Sequence, residues 1–273
     1  MPLDSLTRRR ILAAVGSAGA LYLGMDRAAA TLGYGTVDMN QRTVNGTYAQ
    51  TQGFADENPP PRIGLTWREI VNGTVQEDTG LTSTTDGEAG SVGLIVDEAV
   101  VPGDSGSVTM RARLLSGADV DAANTANAEL YLLAHISDTA ENGINEPERD
   151  AGDTADTDGL PGDLAEHVRM AVWVDESILT GDGNGELEDL PIIGDTPIAE
   201  GSLAQVATAS DLAGDARGNT GGYRISVGGD TCLSPGDEVY VSFEWEIPES
   251  VGNVIQGDSA TFQVGFDPRP CPE

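Results

Sequence analysis

Oxygen-bearing side chains are what this sequence most readily offers a ligand. Asp182, Asn184 and Glu186 alternate through the glycine-rich stretch 181–186, and oxygen donors at every second position of a tight loop can converge on Ca2+. The loop is no EF-hand, because Leu187 stands where the invariant glycine belongs. A second calcium candidate, Asp138, Glu141, Asn142, Asn145 and Glu146, opens an acidic segment running from 138 to 163. Solvated loops on an acid-rich surface carry the same residue types, so the spacing permits calcium without requiring it. Nucleophilic catalysis has less to work with. His135 lies inside an apolar run and His167 beside Glu166, and neither completes a His-x-x-x-His or a Gly-x-Ser-x-Gly pattern. A structural role suits both histidines. There is no lysine, and the hydroxyls have no evident base. Carboxylates are too abundant for composition to single out a hydrolytic pair, so the expectation is a non-enzymatic protein. Two sequons, Asn45-Gly46-Thr47 and Asn72-Gly73-Thr74, would place their asparagines on the surface as N-glycosylation acceptors.

The elements that must carry these residues are mostly strands. Val239, Val241, Phe243, Trp245 and Ile247 alternate with polar residues, and so do Ala260, Phe262, Val264 and Phe266. That period is the mark of a strand with one face in a core. The two runs are expected to pair antiparallel, which would bring together the chain's two cysteines, Cys232 and Cys271, at their outer ends as a disulfide. Closing a loop of about 40 residues stabilises by about 3 to 4 kcal/mol. Further strands are expected over 62–71, 91–101, 107–115, 128–136, 169–175 and 223–227. In the third of these Val108, Met110, Ala112 and Leu114 face the core and Arg111 and Arg113 the solvent; the run 128–136 would be buried on both sides, with a short helix as the alternative. One helix, 202–212, begins at a capping Ser202 and buries Leu203, Val206 and Ala207. The stretch 138–163 reads as a long exposed insertion. The whole is expected to be all-β, a jelly-roll-like antiparallel β-sandwich with one short helix, forming a single domain over 42–273.

Charge sets the partners and the habitat. The 273 residues include 45 Asp and Glu against 14 basic residues, all arginine, for a net charge of −31. Such a surface repels phosphate, so nucleic acid is not an expected partner. In molar salt the Debye length falls to about 3 Å and the self-repulsion is screened. A lysine-free acidic chain therefore points to a halophile, an archaeon by preference. Residues 1–30 read as an export signal: Thr7-Arg8-Arg9-Arg10-Ile11-Leu12 fits the twin-arginine pattern, an apolar run follows over 11–25, and Ala28-Ala29-Ala30 suits a signal peptidase. The product is expected to be secreted or held at the cell surface, to meet the membrane only during export, and to form its disulfide outside the cell. The next segment, 31–41, is β-prone between glycines and reads as an extended strand with no hairpin partner nearby.

Several pieces in order carry a resemblance: Gly35-Thr36-Val37-Asp38, Pro102-Gly103-Asp104-Ser105-Gly106-Ser107, Glu141-Asn142-Gly143-Ile144-Asn145-Glu146-Pro147-Glu148, Val172-Trp173-Val174-Asp175, Glu200-Gly201-Ser202-Leu203, Phe243-Glu244-Trp245, Gly252-Asn253, Ile255-Gln256, Val264-Gly265-Phe266 and Cys271. In this order they resemble the camelysin and TasA-type family of secreted fibre proteins in its haloarchaeal form. The resemblance implies a jelly-roll subunit that polymerises by donor-strand complementation into a surface filament or pilus for adhesion, bundling or biofilm matrix. Its partners would be copies of itself and other filaments in a bundle. The donated strand would be 31–41, with Leu32, Tyr34, Val37 and Met39 filling the neighbour's groove; the alternative is that 31–41 forms an edge strand of its own subunit. The aromatic-rich segment that often follows the signal is shortened here to 26–34. No His-Glu-x-x-His is present, so the peptidase activity ascribed to some members is not carried over. The alternative function is a secreted calcium-dependent binding module of the cell surface, and an exported hydrolase comes third.

Overall fold

The computed structural model describes residues 46–49, 62–75, 91–93, 100–115, 126–141, 143–153, 162–175, 187, 195–209, 212 and 221–272. The expected export signal 1–30, the expected donor strand 31–41 with Leu32, Tyr34, Val37 and Met39, the sequon residue Asn45, and Asp182, Asn184 and Glu186 lie outside them. The described strands are β1 (Gly46–Ala49), β2 (Arg62–Val71), β3 (Thr74–Val75), β4 (Ser91–Gly93), β5 (Ser105–Leu114), β6 (Ala128–Ala140), β7 (Arg169–Val174), β8 (Pro197–Ser202), β9 (Tyr223–Arg224), β10 (Glu238–Glu246) and β11 (Ser259–Pro270). Short helices α1 (Glu146–Ala151), α2 (Leu164–His167) and α3 (Leu203–Thr208), with a 3₁₀ segment (Glu249–Ile255), complete the described elements. No described helix is long and apolar enough to cross a membrane.

Two antiparallel sheets result. One runs in the order β1-β2-β5-β10-β7-β8 with β3 folded back on β2, and the other runs β4-β11-β6-β9. The alternating side chains explain why they meet. Val239, Val241, Phe243 and Trp245 of β10 and Val108, Met110, Ala112 and Leu114 of β5 share one buried cluster with Ala260, Phe262, Val264 and Phe266 of β11 and Leu130, Leu132 and Ala134 of β6. Each large apolar side chain buried there contributes about 1.5 to 3 kcal/mol. The arginines of β5 lie on the opposite face, where Arg113 meets Glu238 at 3.5 Å. Asn72, exposed at φ 48°, and Gly73 at φ 72° form the two-residue turn between β2 and β3. The side-chain amide of Asn72 donates to Asp104 Oδ1 (2.9 Å), and its oxygen accepts from the Ser105 amide (2.9 Å).

The structure departs from the sequence reading in four places. First, β10 and β11 do not pair. β10 lies between β5 and β7, while β11 lies between β4 and β6 in the other sheet; the 3₁₀ segment carries the chain across. Alternation says which face of a strand is buried and nothing about its neighbour. The disulfide forms nonetheless, with 5.7 Å between the Cα atoms, for a different reason. Leu233 and Pro270 both pair with Ala128, at the start of β6, so Cys232 and Cys271 are brought to the same strand end.

Second, helix content exceeds the single helix expected. The expected one is there, shorter, with Ser202 accepting from the Gln205 amide (3.2 Å) and Gln205 Oε1 accepting from the Ser202 amide (2.8 Å). Third, strand boundaries move: the strand expected over 91–101 is described as Ser91–Gly93 with Val100 and Val101 outside any strand, β6 runs on to Ala140, and β9 ends at Arg224. The alternative of a helix over 128–136 is thereby settled in favour of a strand. Fourth, the acidic segment 138–163 is not wholly exposed. Its first residues continue β6, Ile144 is buried, and Glu141 and Glu148 go inside with it.

Candidate functional site

Three carboxylates meet in the interior, each brought there by a different element. β6 ends at Ala140 and delivers Glu141 directly. The chain then turns through Ile144 to Asn145, which caps α1. The Glu148 amide donates to Asn145 Oδ1 (3.3 Å) and the Asn145 amide donates to Glu148 Oε2 (2.5 Å), a reciprocal capping box with Pro147 in the first turn. The box bends the Glu148 side chain back toward the helix start. Asn145 Nδ2 also donates to the Gln256 carbonyl, which ties this turn to the strand connection ahead of β11. Arg149 donates to the Ile144 carbonyl (2.8 Å), and Gly152, at φ 102°, closes the helix. Asp258 stands immediately before β11. Its Oδ2 accepts from the Leu164 amide (3.0 Å) at the start of α2.

One carboxylate oxygen from each of Glu141, Glu148 and Asp258 lies within 4.8 Å of the others. Glu148 and Asp258 are 0% exposed and Glu141 6%. Glu141 Oε1, Glu148 Oε1 and Asp258 Oδ1 have no hydrogen-bond partner among the described residues. Two glycines let the backbone approach them closely. A Cβ on Gly162 would stand 2.8 Å from the Asp258 carboxyl carbon and 2.6 Å from the Ala140 carbonyl oxygen; one on Gly257, at φ 119°, would stand 3.3 Å from Glu148 Oε1.

The electrostatics follow from burial. Desolvation, then the neighbouring Glu141 charge, pushes Asp258 up to about 7, against the stabilising Leu164 amide. Burial also raises Glu141, with Asp153, Glu148 and Asp163 adding to it. Burial raises Glu148 too, while the Asn145 amide and Arg149 pull the other way and Asp153 adds to the rise. Buried charges of one sign at this spacing are costly unless something neutralises them. A shared proton or a hard cation can do so. Glu141 and Asp258 stand close enough for the first. Oxygen donors alone, without sulfur or imidazole, suit Ca2+ or Mg2+. Hydrolysis by a carboxyl pair would need a substrate bond beside residues that are closed to solvent.

In comparisons with known proteins, no family, no curated sequence and no solved structure matches the chain. The expectations from sequence meet the described residues unevenly. Of the second calcium candidate, Glu141 joins the cluster, Asn145 holds Glu148 beside it as the helix cap, Asp138 lies on β6, Glu146 is exposed on α1, and Asn142 lies outside the described residues. Glu148 and Asp258 were missed as members of the cluster. The Asn-x-x-Glu spacing at 145–148 was a readable capping signal; nothing marked Asp258. The histidines sit apart in the fold: His135 on β6, opposite Gln263, and His167 at the end of α2, on the wall of a surface cleft of about 1140 Å³ that also holds Glu166, Arg169 and Glu200. A buried serine, Ser242, donates to Asp175 Oδ2 (2.8 Å) and lies 3.1 Å from Thr109 Oγ1. That trio links β10 to β5 and to the end of β7 inside the sheet, where it braces the fold.

Proposed function

We propose that the chain is a structural subunit of an extracellular filament or pilus, with a jelly-roll-like domain that joins copies of itself by donor-strand complementation and serves adhesion, bundling or biofilm matrix. The observation that carries this reading is the imbalance between the sheets. One is seven-stranded. The other rests on two long strands, β6 and β11; among the described residues, β4 pairs with β11 only over 263–265 and β9 pairs with β6 only at Tyr131 and Leu132. Short outer strands are where a strand from another chain can join a sheet. The segment 31–41, with Leu32, Tyr34, Val37 and Met39, is β-prone in sequence and would supply the joining strand. Main-chain hydrogen bonds would give register, and high salt would let subunits of like charge approach.

The test compares the mature chain with one lacking 31–41, each incubated in molar NaCl and viewed by electron microscopy after circular dichroism has established that both fold. Fibres from the first and none from the second are expected. Equal fibre growth by the truncated chain, or a mature chain that stays monomeric, would overturn the reading. A secreted calcium-dependent binding module is the second reading, and the cluster of Glu141, Glu148 and Asp258 favours it. It calls for a monomer whose attachment to surface polysaccharide disappears on chelation.

A further inference from the structure

We propose that Glu141, Glu148 and Asp258 are ligands of a calcium ion that clamps the chain from the end of β6 through α1 onto the start of β11. The cluster is more than an accumulation of acids. Its residues are buried, and each keeps an oxygen with no hydrogen-bond partner among the described residues, while Glu148 is held through its capping-box oxygen (2.5 Å) and Asp258 through the Leu164 amide (3.0 Å). Donor atoms within 4.8 Å of one another can be bridged by an ion with ligand distances of about 2.3 to 2.6 Å. Gly162 and Gly257 let the backbone come closer to the Asp258 carboxyl and to Glu148 Oε1 than a side chain would allow.

The choice of ion follows from the same geometry. Zinc, copper and nickel favour imidazole or thiolate, and the cluster offers neither. Magnesium gives up its water reluctantly and usually keeps several water ligands, whereas this site is closed to solvent. Calcium tolerates such a set and accepts a carboxylate through one oxygen or two. Three carboxylates against a divalent ion leave the site close to neutral, and Arg149, which acts on Glu148, offsets part of the remainder. The inference holds whether or not the chain polymerises.

The mature, disulfide-intact protein, freed of divalent ions and held in molar NaCl, is titrated with CaCl2 by calorimetry, and its melting temperature is followed alongside. A single binding event and a rise in melting temperature are expected. Glu141→Gln and Glu148→Gln are then combined; glutamine keeps the capping oxygen of residue 148, so the double variant should melt, without calcium, no lower than the wild type. It should neither bind nor respond. Absence of binding by the wild type overturns the proposal. So does an unchanged calcium response in the double variant, which would place the ion elsewhere, for example at Asp182, Asn184 and Glu186.

Discussion

Replacing Asp258 by asparagine should stabilise the calcium-free protein and forfeit the stabilisation that calcium gives. In the calcium-free fold the carboxyl is pushed from 3.8 up to about 7, first by burial and then by Glu141 at the end of β6, with Glu148 of α1 adding to it. Asp153 and Asp163 reach the cluster through their action on Glu141, and Arg149 opposes them through Glu148. A carboxyl whose folded value lies above its unfolded one favours folding most when protonated. Its contribution is intact below about pH 4, declines as pH rises, and is lost above about pH 7. The full shift corresponds to about 4 kcal/mol at 1.36 kcal/mol per unit; because the three carboxyls titrate together, about 2 to 4 kcal/mol is the range assigned to this substitution. Asparagine keeps an oxygen for the Leu164 amide and carries no charge. At roughly 2 to 4 °C per kcal/mol for a domain of this size, the variant should melt about 5 to 15 °C above the wild type at pH 8 without calcium, and the gap should close toward pH 5. Calcium at a hundredfold excess over its dissociation constant adds about 2.7 kcal/mol to the wild type and nothing to the variant, so the order narrows or inverts. Melting by calorimetry at pH 5 and pH 8, with and without calcium, reads all four corners. If Asp258→Asn lowers the melting temperature equally in all of them, the carboxyl is an ordinary structural acceptor and the electrostatic reasoning is wrong.

Two further outcomes test the frame that holds the site. Gly106→Ala would place a Cβ 2.4 Å from the Ile70 carbonyl oxygen and from the fully buried indole of Trp245; overpacking of this kind costs about 1 to 3 kcal/mol, and urea unfolding should show the midpoint falling with the slope unchanged. Reducing Cys232–Cys271, 39 residues apart, should remove about 4 kcal/mol by loop-closure entropy, with hydrogen exchange speeding up first at the amides of Ala128 and Leu233, which bond to each other's carbonyls.

What could be read from the sequence, and what could not, divides along a physical line. Burial along a strand is written locally, because successive side chains point to opposite faces. Hence the inward sets of β5, β10 and β11 were legible residue by residue, and so was Ser202 as a helix cap. Pairing is a property of two distant segments. The run ending at Ile247 and the run starting at Ala260 look like the arms of a hairpin, yet Ile247 and Asp104 bond across the β5 side (3.1 Å) and the 3₁₀ segment then leads away to the other sheet. The acidic segment failed for a related reason. Composition describes an average, and among 45 acidic residues three buried ones have no signature of their own. Only Glu148 left a trace, through its spacing from Asn145, and a capping box tells where a helix starts without telling whether it faces water. Asp258 depends on α2 for its partner and on β6 for its neighbour, and neither adjacency exists until the chain has folded.

The same division bears on how the protein tolerates its charge. Most of the net −31 can sit at the surface, where mobile ions at molar concentration shorten its reach to about 3 Å. That remedy stops at the protein boundary, because a sodium atmosphere cannot form around Glu148 and Asp258 when neither is exposed. The surface charge and the interior charge therefore answer to different agents. Raising NaCl from low to molar concentration should relieve the first and leave the second untouched, so a calcium effect on melting that persists undiminished at the highest salt belongs to the interior. If the calcium effect fades as NaCl rises, it was surface screening by a divalent ion, and the carboxylates around Asp258 are holding protons instead.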